Sequence, residues 1–264
     1  LGSGADGEVH DIAVDSLGRI IVVGEFGVFD GIARGKIARL NPDGSLDETF
    51  NPGFGADAVI NSVSVQVDDR VIIGGRFLMF DGVQVPGVAR LQRDGALDHS
   101  FADAMPEVDT TTSLVNRVEV LEDGRILVAG SFEATHEADG GALTYRGILR
   151  LNRSGSMDTT FQPSAAVALA DREYGPNGEI SALGVQPDGS IVLGGLFTRF
   201  HGKMHNRVVR LTLDGELDTT INFGSGADGP ILDAVVQNNF RIILAGQFEE
   251  FDGERLLRMA RVYG

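Results

Sequence analysis

The sequence predicts an all-β fold, a single five-bladed β-propeller built from five internal repeats. Three observations predict it. The phrase Arg-Leu-x-x-Asp-Gly-x-Leu-Asp-x-x-Phe runs from Arg39 to Phe50 and again from Arg90 to Phe101. It returns at Arg150–Phe161, with Ser154 and Met157 as substitutions, and at Arg210–Ile221; a fifth copy opens at Arg261. The arginine spacings are 51, 60, 60 and 51 residues, a period at which each unit buries its apolar faces only against its neighbours. Each unit also carries short apolar runs separated by turn residues, and no stretch has helical periodicity. Four short antiparallel strands per unit describe a propeller blade.

The elements follow in order within each unit. The first strand is Val9–Val14, repeated at Ile60–Val65, Val115–Val120, Ile180–Val185 and Ile231–Val236. A polar turn such as Pro187-Asp188-Gly189-Ser190 follows, in which glycine supplies the positive φ that a hairpin needs. The second strand ends each time in Gly-x-Phe: Gly24/Phe26, Gly75/Phe77, Gly130/Phe132, Gly195/Phe197 and Gly246/Phe248. A glycine repeated inside a strand marks a bend or a close backbone approach. Phe-Asp-Gly turns come next at Phe29, Phe80 and Phe251, with Phe200-His201-Gly202 as a variant. The third strand carries the Arg-Leu pair, as in Lys36–Leu40, and the fourth is the Leu-Asp-x-x-Phe piece. Folding these last two into a hairpin puts Arg39 opposite Asp47, Arg90 opposite Asp98, Arg150 opposite Asp158 and Arg210 opposite Asp218, pairs that brace a sheet. The phenylalanine that closes each copy then wedges between adjacent units. The whole chain, 1–264, reads as one domain with repeats at about 2–50, 51–101, 102–161, 162–221 and 222–264. The fifth repeat is expected to form three strands and an open outer edge. The chain starts and stops within the repeat period, as a segment of something longer would.

Composition narrows the function. With no cysteine there are no disulfides, thiolate metal sites or cysteine nucleophiles. A net charge of −16 argues against nucleic acid or anionic lipid as a partner. No apolar run is long enough to span a membrane. No nucleophile elbow, phosphate loop or nucleotide motif is present, and the five histidines (His10, His99, His136, His201 and His205) are scattered.

The run "DGRILVAGSF…ILRLNRSGSMDTTF" (Asp123–Phe161), with its sister copies, resembles the delta-60 repeat, a bacterial β-propeller-type repeat. The resemblance covers nearly the whole chain. It implies a large secreted or surface-attached bacterial protein, with the repeats beside adhesion-type modules, and it implies neither catalytic residues nor a cofactor. The expectation is therefore a non-catalytic binding or adhesion module, extracellular or at the cell surface, monomeric or part of a longer chain, with a glycan or protein ligand. A purely structural spacer is the alternative.

Three insertions break the repeat: Ala102–Leu114, Glu133–Gly147 and Gln162–Glu179. Irregular loops on a rigid scaffold are where binding concentrates. These hold the candidate ligand residues His136, Glu137, Asp139, Tyr145, Arg146, Arg172, Glu173 and Tyr174, whose polar and aromatic types suit a glycan or peptide. Calcium is the one cation considered, with Asp6, Asp57 and Asp228 of the Gly-Ala-Asp segments as oxygen donors. Local turns account for the same aspartates. A second alternative is a glycoside hydrolase with carboxylates on the innermost strands. Aligning the first strands places Asp11, Ser62, Arg117, Ala182 and Asp233 in one column and Glu119 two positions further along, so that Asp11, Glu119 and Asp233 are the candidate acids.

Overall fold

A computed structural model describes residues 2–109, 114–138, 141–161 and 175–263. It contains five main antiparallel sheets, and among the described residues the only α-helix is the single turn His99–Ala102. The chain divides into two compact units. One comprises residues 1–128 and 150–157, the other residues 129–149 and 158–264, so the boundary falls inside the third repeat.

In the first sheet Val9–Val14 pairs with Ile20–Gly24, which pairs with Ile37–Leu40. The second, fourth and fifth sheets repeat this order. The expected fourth strand is a correction. Only a single bridge marks it, between Leu40 and Leu46 and likewise Leu91 and Leu97, Leu151 and Met157, and Leu211 and Leu217. The chain tightens there because the aspartate of Leu-Asp-x-x-Phe turns back on itself. Asp47 takes the Thr49 hydroxyl at 2.6 Å and the Thr49 amide at 3.0 Å. In the second copy the same tightening becomes the helical turn His99–Ala102. The fifth sheet has three strands, ending with Met259–Tyr263.

The glycine of Gly-x-Phe is placed by sterics. The first strand bulges once, between Val9 and Asp11 and again between Ile60 and Ser62, Ile180 and Ala182, and Ile231 and Asp233. At that bulge the opposing glycine lies flat on the backbone. A side chain at Gly24 would strike the Glu8 carbonyl, one at Gly75 that of Val59, and one at Gly195 that of Glu179. The phenylalanine two residues on is fully buried in Phe26, Phe77, Phe197 and Phe248. It meets the ring of the Phe-Asp-Gly turn edge to face, with centroids 5.8 Å apart for Phe26 and Phe29 and 5.9 Å for Phe197 and Phe200. Phe-Asp-Gly itself closes a two-residue hairpin, as at Val28–Phe29 and Ile32–Ala33. Both central residues have positive φ, 51° at Asp30 and 79° at Gly31, the geometry of a type I′ turn.

The arginine–aspartate pairs form as the sequence predicts, and they do more than brace one sheet. Arg39 Nε lies 2.8 Å from Asp47 Oδ2, Arg90 Nε 2.9 Å from Asp98 Oδ2, and Arg210 Nε 2.8 Å from Asp218 Oδ2. Arg39, Asp47, Arg90, Asp98, Arg150 and Asp158 are buried, and Arg210 and Asp218 half-buried. Within the first unit the guanidinium also covers the closing phenylalanine, 4.7 Å above Phe50 and 4.6 Å above Phe101. Its Nη1 then donates across to the next repeat, 2.5 Å from the Arg93 carbonyl for Arg39 and 2.5 Å from that of Arg153 for Arg90. The phenylalanine wedges against the glycine of the next Asp-Gly-type turn, Phe101 against Gly155 and Phe161 against Gly215. Burial opposes ionisation of Asp47 and Asp98. The hydrogen bonds from Thr49 and Ser100 and the facing arginines outweigh it, and both carboxyls sit below the ordinary aspartate range.

Asp98→Ala leaves Arg90 buried without its counter-charge and is expected to cost about 3–5 kcal/mol in urea unfolding. Glu48→Ala, at an exposed position of the same motif, is expected to stay within about 0.5 kcal/mol.

Candidate functional site

The third repeat departs from the others at the position of the two-residue hairpin. The insertion read as a loop at Glu133–Gly147 is instead a continuation of the sheet, with strands Ile126–Ala138 and Gly141–Leu151. β-branched and aromatic residues such as Thr135, Thr144 and Tyr145 suit an extended ribbon. His136 and Glu137 lie on the first of these strands, while their side chains, with Asp139, Arg172, Glu173 and Tyr174, fall outside the described residues. Tyr145 is buried, 4 % exposed, so its ring belongs to the core and not to a rim. Burial and then the Asp158 charge raise its hydroxyl pKa. Arg146 is half-exposed and its Nε sits 2.8 Å from Glu133 Oε1, tying the two strands of the ribbon across their outer face.

At the foot of the ribbon the two insertion-bearing segments meet. A side chain at Gly175 would strike the Arg146 carbonyl, and one at Gly147 would fall 2.8 Å from Pro176. His201 closes this foot from the fourth repeat. Its Nδ1 accepts the Gly175 amide at 2.8 Å, and its amide donates to the Gly175 carbonyl at 2.9 Å. Asp30, Asp81 and Asp252 do the same work in three other repeats, accepting from Gly4, Phe54 and Ser225. Burial, with His205 and Lys203 nearby, lowers the His201 pKa to about 4. The imidazole is thus neutral at pH 7, as an accepting Nδ1 requires.

The aspartates considered for calcium are occupied by backbone. Asp6 Oδ1 accepts the amides of Gly27 and Val28 at 2.8 and 2.9 Å, Asp57 Oδ1 those of Leu78 and Met79 at 2.9 and 3.1 Å, and Asp228 Oδ1 those of Glu249 and Glu250 at 2.8 and 2.9 Å. These bonds reach some 21 residues along the chain, so the local turns expected from the sequence are also corrected. Asn177 fills the same role in the fourth repeat. Among the described residues no group of carboxylates and imidazoles is arranged to hold a metal.

The candidate acids on the first strands are held in different ways. Asp11 Oδ2 takes the Val63 amide at 2.9 Å and Oδ1 the Ile12 amide at 2.8 Å, and Ser62, next in its column, takes the Val118 amide at 3.2 Å. The column therefore stitches neighbouring first strands together. Asp233 Oδ1 accepts the Ala234 amide at 3.0 Å. Glu119 differs: it is an exposed residue whose carboxyl is nonetheless crowded by neighbouring atoms, and this partial desolvation and then the Asp11 charge raise its pKa. A separate cavity of about 330 Å³ opens between His205, Arg210, Asp218, Ile221 and Phe223. It lies where Ile221 replaces the phenylalanine that Arg39 and Arg90 cover in their own repeats.

The profile described as a domain of unknown function (DUF5122) beta-propeller matches residues 18–50, 66–101, 121–161 and 186–220. The chain belongs to this β-propeller family. Three of the matches run from the turn before the second strand to the closing phenylalanine and the fourth stops just before Ile221, so all cover the part of the repeat that holds the arginine pair. No curated protein sequence matches the chain. Among solved structures, a streptogramin B lyase is similar at 14 % identity and a TM-score of 0.52, over 99 % of this chain and 70 % of that one. A gluconolactonase from Xanthomonas campestris is similar at 18 % identity and a TM-score of 0.48, over 95 % and 74 %. A virginiamycin B lyase from Staphylococcus aureus is similar at 13 % and 0.47, over 98 % and 72 %. The likeness is one of fold. It overturns the expectation that the chain is not an enzyme, because the streptogramin B lyase is an enzyme by name.

His201 carries a pH test. Its folded pKa lies below the unfolded value of 6.5, so the stability it contributes is complete above 6.5 and is lost as pH falls toward about 4. An NMR titration is expected to place it near 4, and His201→Asp, the residue of the sister turns, is expected to flatten the fall in thermal midpoint across that window.

Proposed function

We propose that this chain is a ligand-binding β-propeller of five repeat blades in a secreted or surface-attached bacterial protein, taking a glycan or a protein segment at the ribbon of the third repeat. One observation carries the reading. In the first, second, fourth and fifth repeats the second and third strands of the sheet are four to six residues long and a separate hairpin of two-residue strands lies between them, whereas in the third repeat the second and third strands themselves run on to 13 and 11 residues. Their outer face carries the half-exposed Arg146–Glu133 pair. A ribbon with a charged outer face is a way to present groups to a partner. The net charge of −16 disfavours nucleic acid and anionic membrane as that partner. A glycan and peptide array probed with the intact chain is expected to give a defined set of ligands, and Arg146→Ala with Glu133→Ala is expected to weaken them about tenfold. An array without hits, or hits indifferent to the pair, ends this reading.

Glu119 favours a second reading. A carboxyl with a raised pKa beside a hydrogen-bonded carboxylate is the arrangement of a general acid and its partner. On this reading the chain cleaves a polysaccharide with Glu119 as acid. Activity is expected to fall as pH rises through the Glu119 pKa, and Glu119→Gln to lower kcat by about 10²–10⁴-fold. A polysaccharide panel without turnover removes it.

A further inference from the structure

The first sheet exposes a face that its sister sheets bury. Val9 is 48 % and Ile12 59 % exposed, whereas the residues in register with them are covered: Ile60 at 0 % and Val63 at 6 %, Val115 at 2 % and Val118 at 3 %. In those sheets the cover is the preceding repeat, as a side chain at Gly74 would fall 2.6 Å from Val115 and 2.7 Å from Val118. Three further features of the same seat are present in the first sheet. The Ile12 amide, whose equivalents Val63 and Val118 are taken by Asp11 and Ser62 of the repeat before, is held by its own Asp11. Pro42 stands, exposed, at the position whose carbonyl receives the arginine of the preceding repeat in Arg93 and Arg153. Gly44 has nothing within 4 Å of where a side chain would begin, whereas Gly95 lies against Asn51 and Gly155 against Phe101 of the repeat before.

We propose that this face is the seat of a further blade of the same repeat, carried in the same polypeptide ahead of Gly2 and complete through its Leu-Asp-x-x-Phe segment. Every element of the seat has a matching partner in that repeat: an inner-strand acceptor for the Ile12 amide, the arginine as donor to the Pro42 carbonyl and the phenylalanine against Gly44. The register agrees, since Ala5-Asp6 corresponds to Ala56-Asp57, six and seven residues past Phe50.

The test is to duplicate residues 1–51 ahead of Leu1, which places Asp6 seven residues past the added phenylalanine. The extended chain is expected to gain about 4 °C or more in thermal midpoint, with slower hydrogen exchange at Val9–Val14. Phe50→Ala in the added copy, or Gly44→Asn in the receiving sheet, is expected to abolish the gain. Gly44→Asn in the original chain is expected to change little, because asparagine tolerates the positive φ there and meets no neighbour. No gain and no change in exchange at Val9–Val14 overturns the proposal. So does protection of Val9–Val14 in the original chain that rises with protein concentration, which assigns the face to a second copy.

Discussion

A buried guanidinium in each of the first three repeats, Arg39, Arg90 and Arg150, organises this molecule. Arg39 and Arg90 each hold an aspartate of their own sheet, lie over a phenylalanine and reach a carbonyl of the next repeat. A buried charge is costly unless each of its donors is used, and here the arginine's sites are divided between two repeats. The ion pair is therefore satisfied only when the neighbouring turn is in place. This links the folding of one unit to the docking of the next, which is how a repeat array gains cooperativity from contacts between nearest neighbours. Lysine cannot substitute, since it lacks the planar fork that points at three partners at once.

The same logic places the adaptable part of the scaffold. First strands are stitched by side chains and pinned by glycines that lie on backbone, and the closing motif is fixed by the arginine. The segment between the second and third strands escapes both restraints. It is fastened by an acceptor at the turn, Asp30, Asp81 and Asp252 with His201 in the fourth repeat, and by Asp6, Asp57, Asp228 and Asn177, which take its first amides. Beyond these bonds its length can change, and in the third repeat it does.

Much of this was legible in the residues. The arginine and aspartate eight positions apart, the glycine two residues before a phenylalanine, and the Asp-Gly turns each name a steric or electrostatic need that recurs in every copy, and the structure meets them where they fall. The fourth strand was misread because alternating Leu-Asp-x-x-Phe looks extended, while the hydroxyl at Thr49, Ser100, Thr160 and Thr220 turns it back on the aspartate. That hydroxyl is itself repeated, so the signal was there. The 21-residue reach of Asp6, Asp57 and Asp228 was not readable from local spacing, because it depends on how a bulged strand returns beside the segment that precedes it. The candidate site was least legible. Tyr145 carries no mark that tells a core ring from a rim ring, and Arg146 and Glu133 become partners only because the insertion is a ribbon and not a loop.

The ribbon has a consequence for how such chains change over time. The second and third strands run on to 13 and 11 residues in place of a separate two-residue hairpin, yet the pairing below them keeps its place. Sequence can therefore be gained or exchanged at this one junction without renegotiating the rest of the molecule. The other repeats retain the short form of the same junction, each with its own turn. They are ports at which new recognition surfaces can be installed one at a time, by insertion in evolution or by grafting at the bench, on a framework whose folding rules stay as they are.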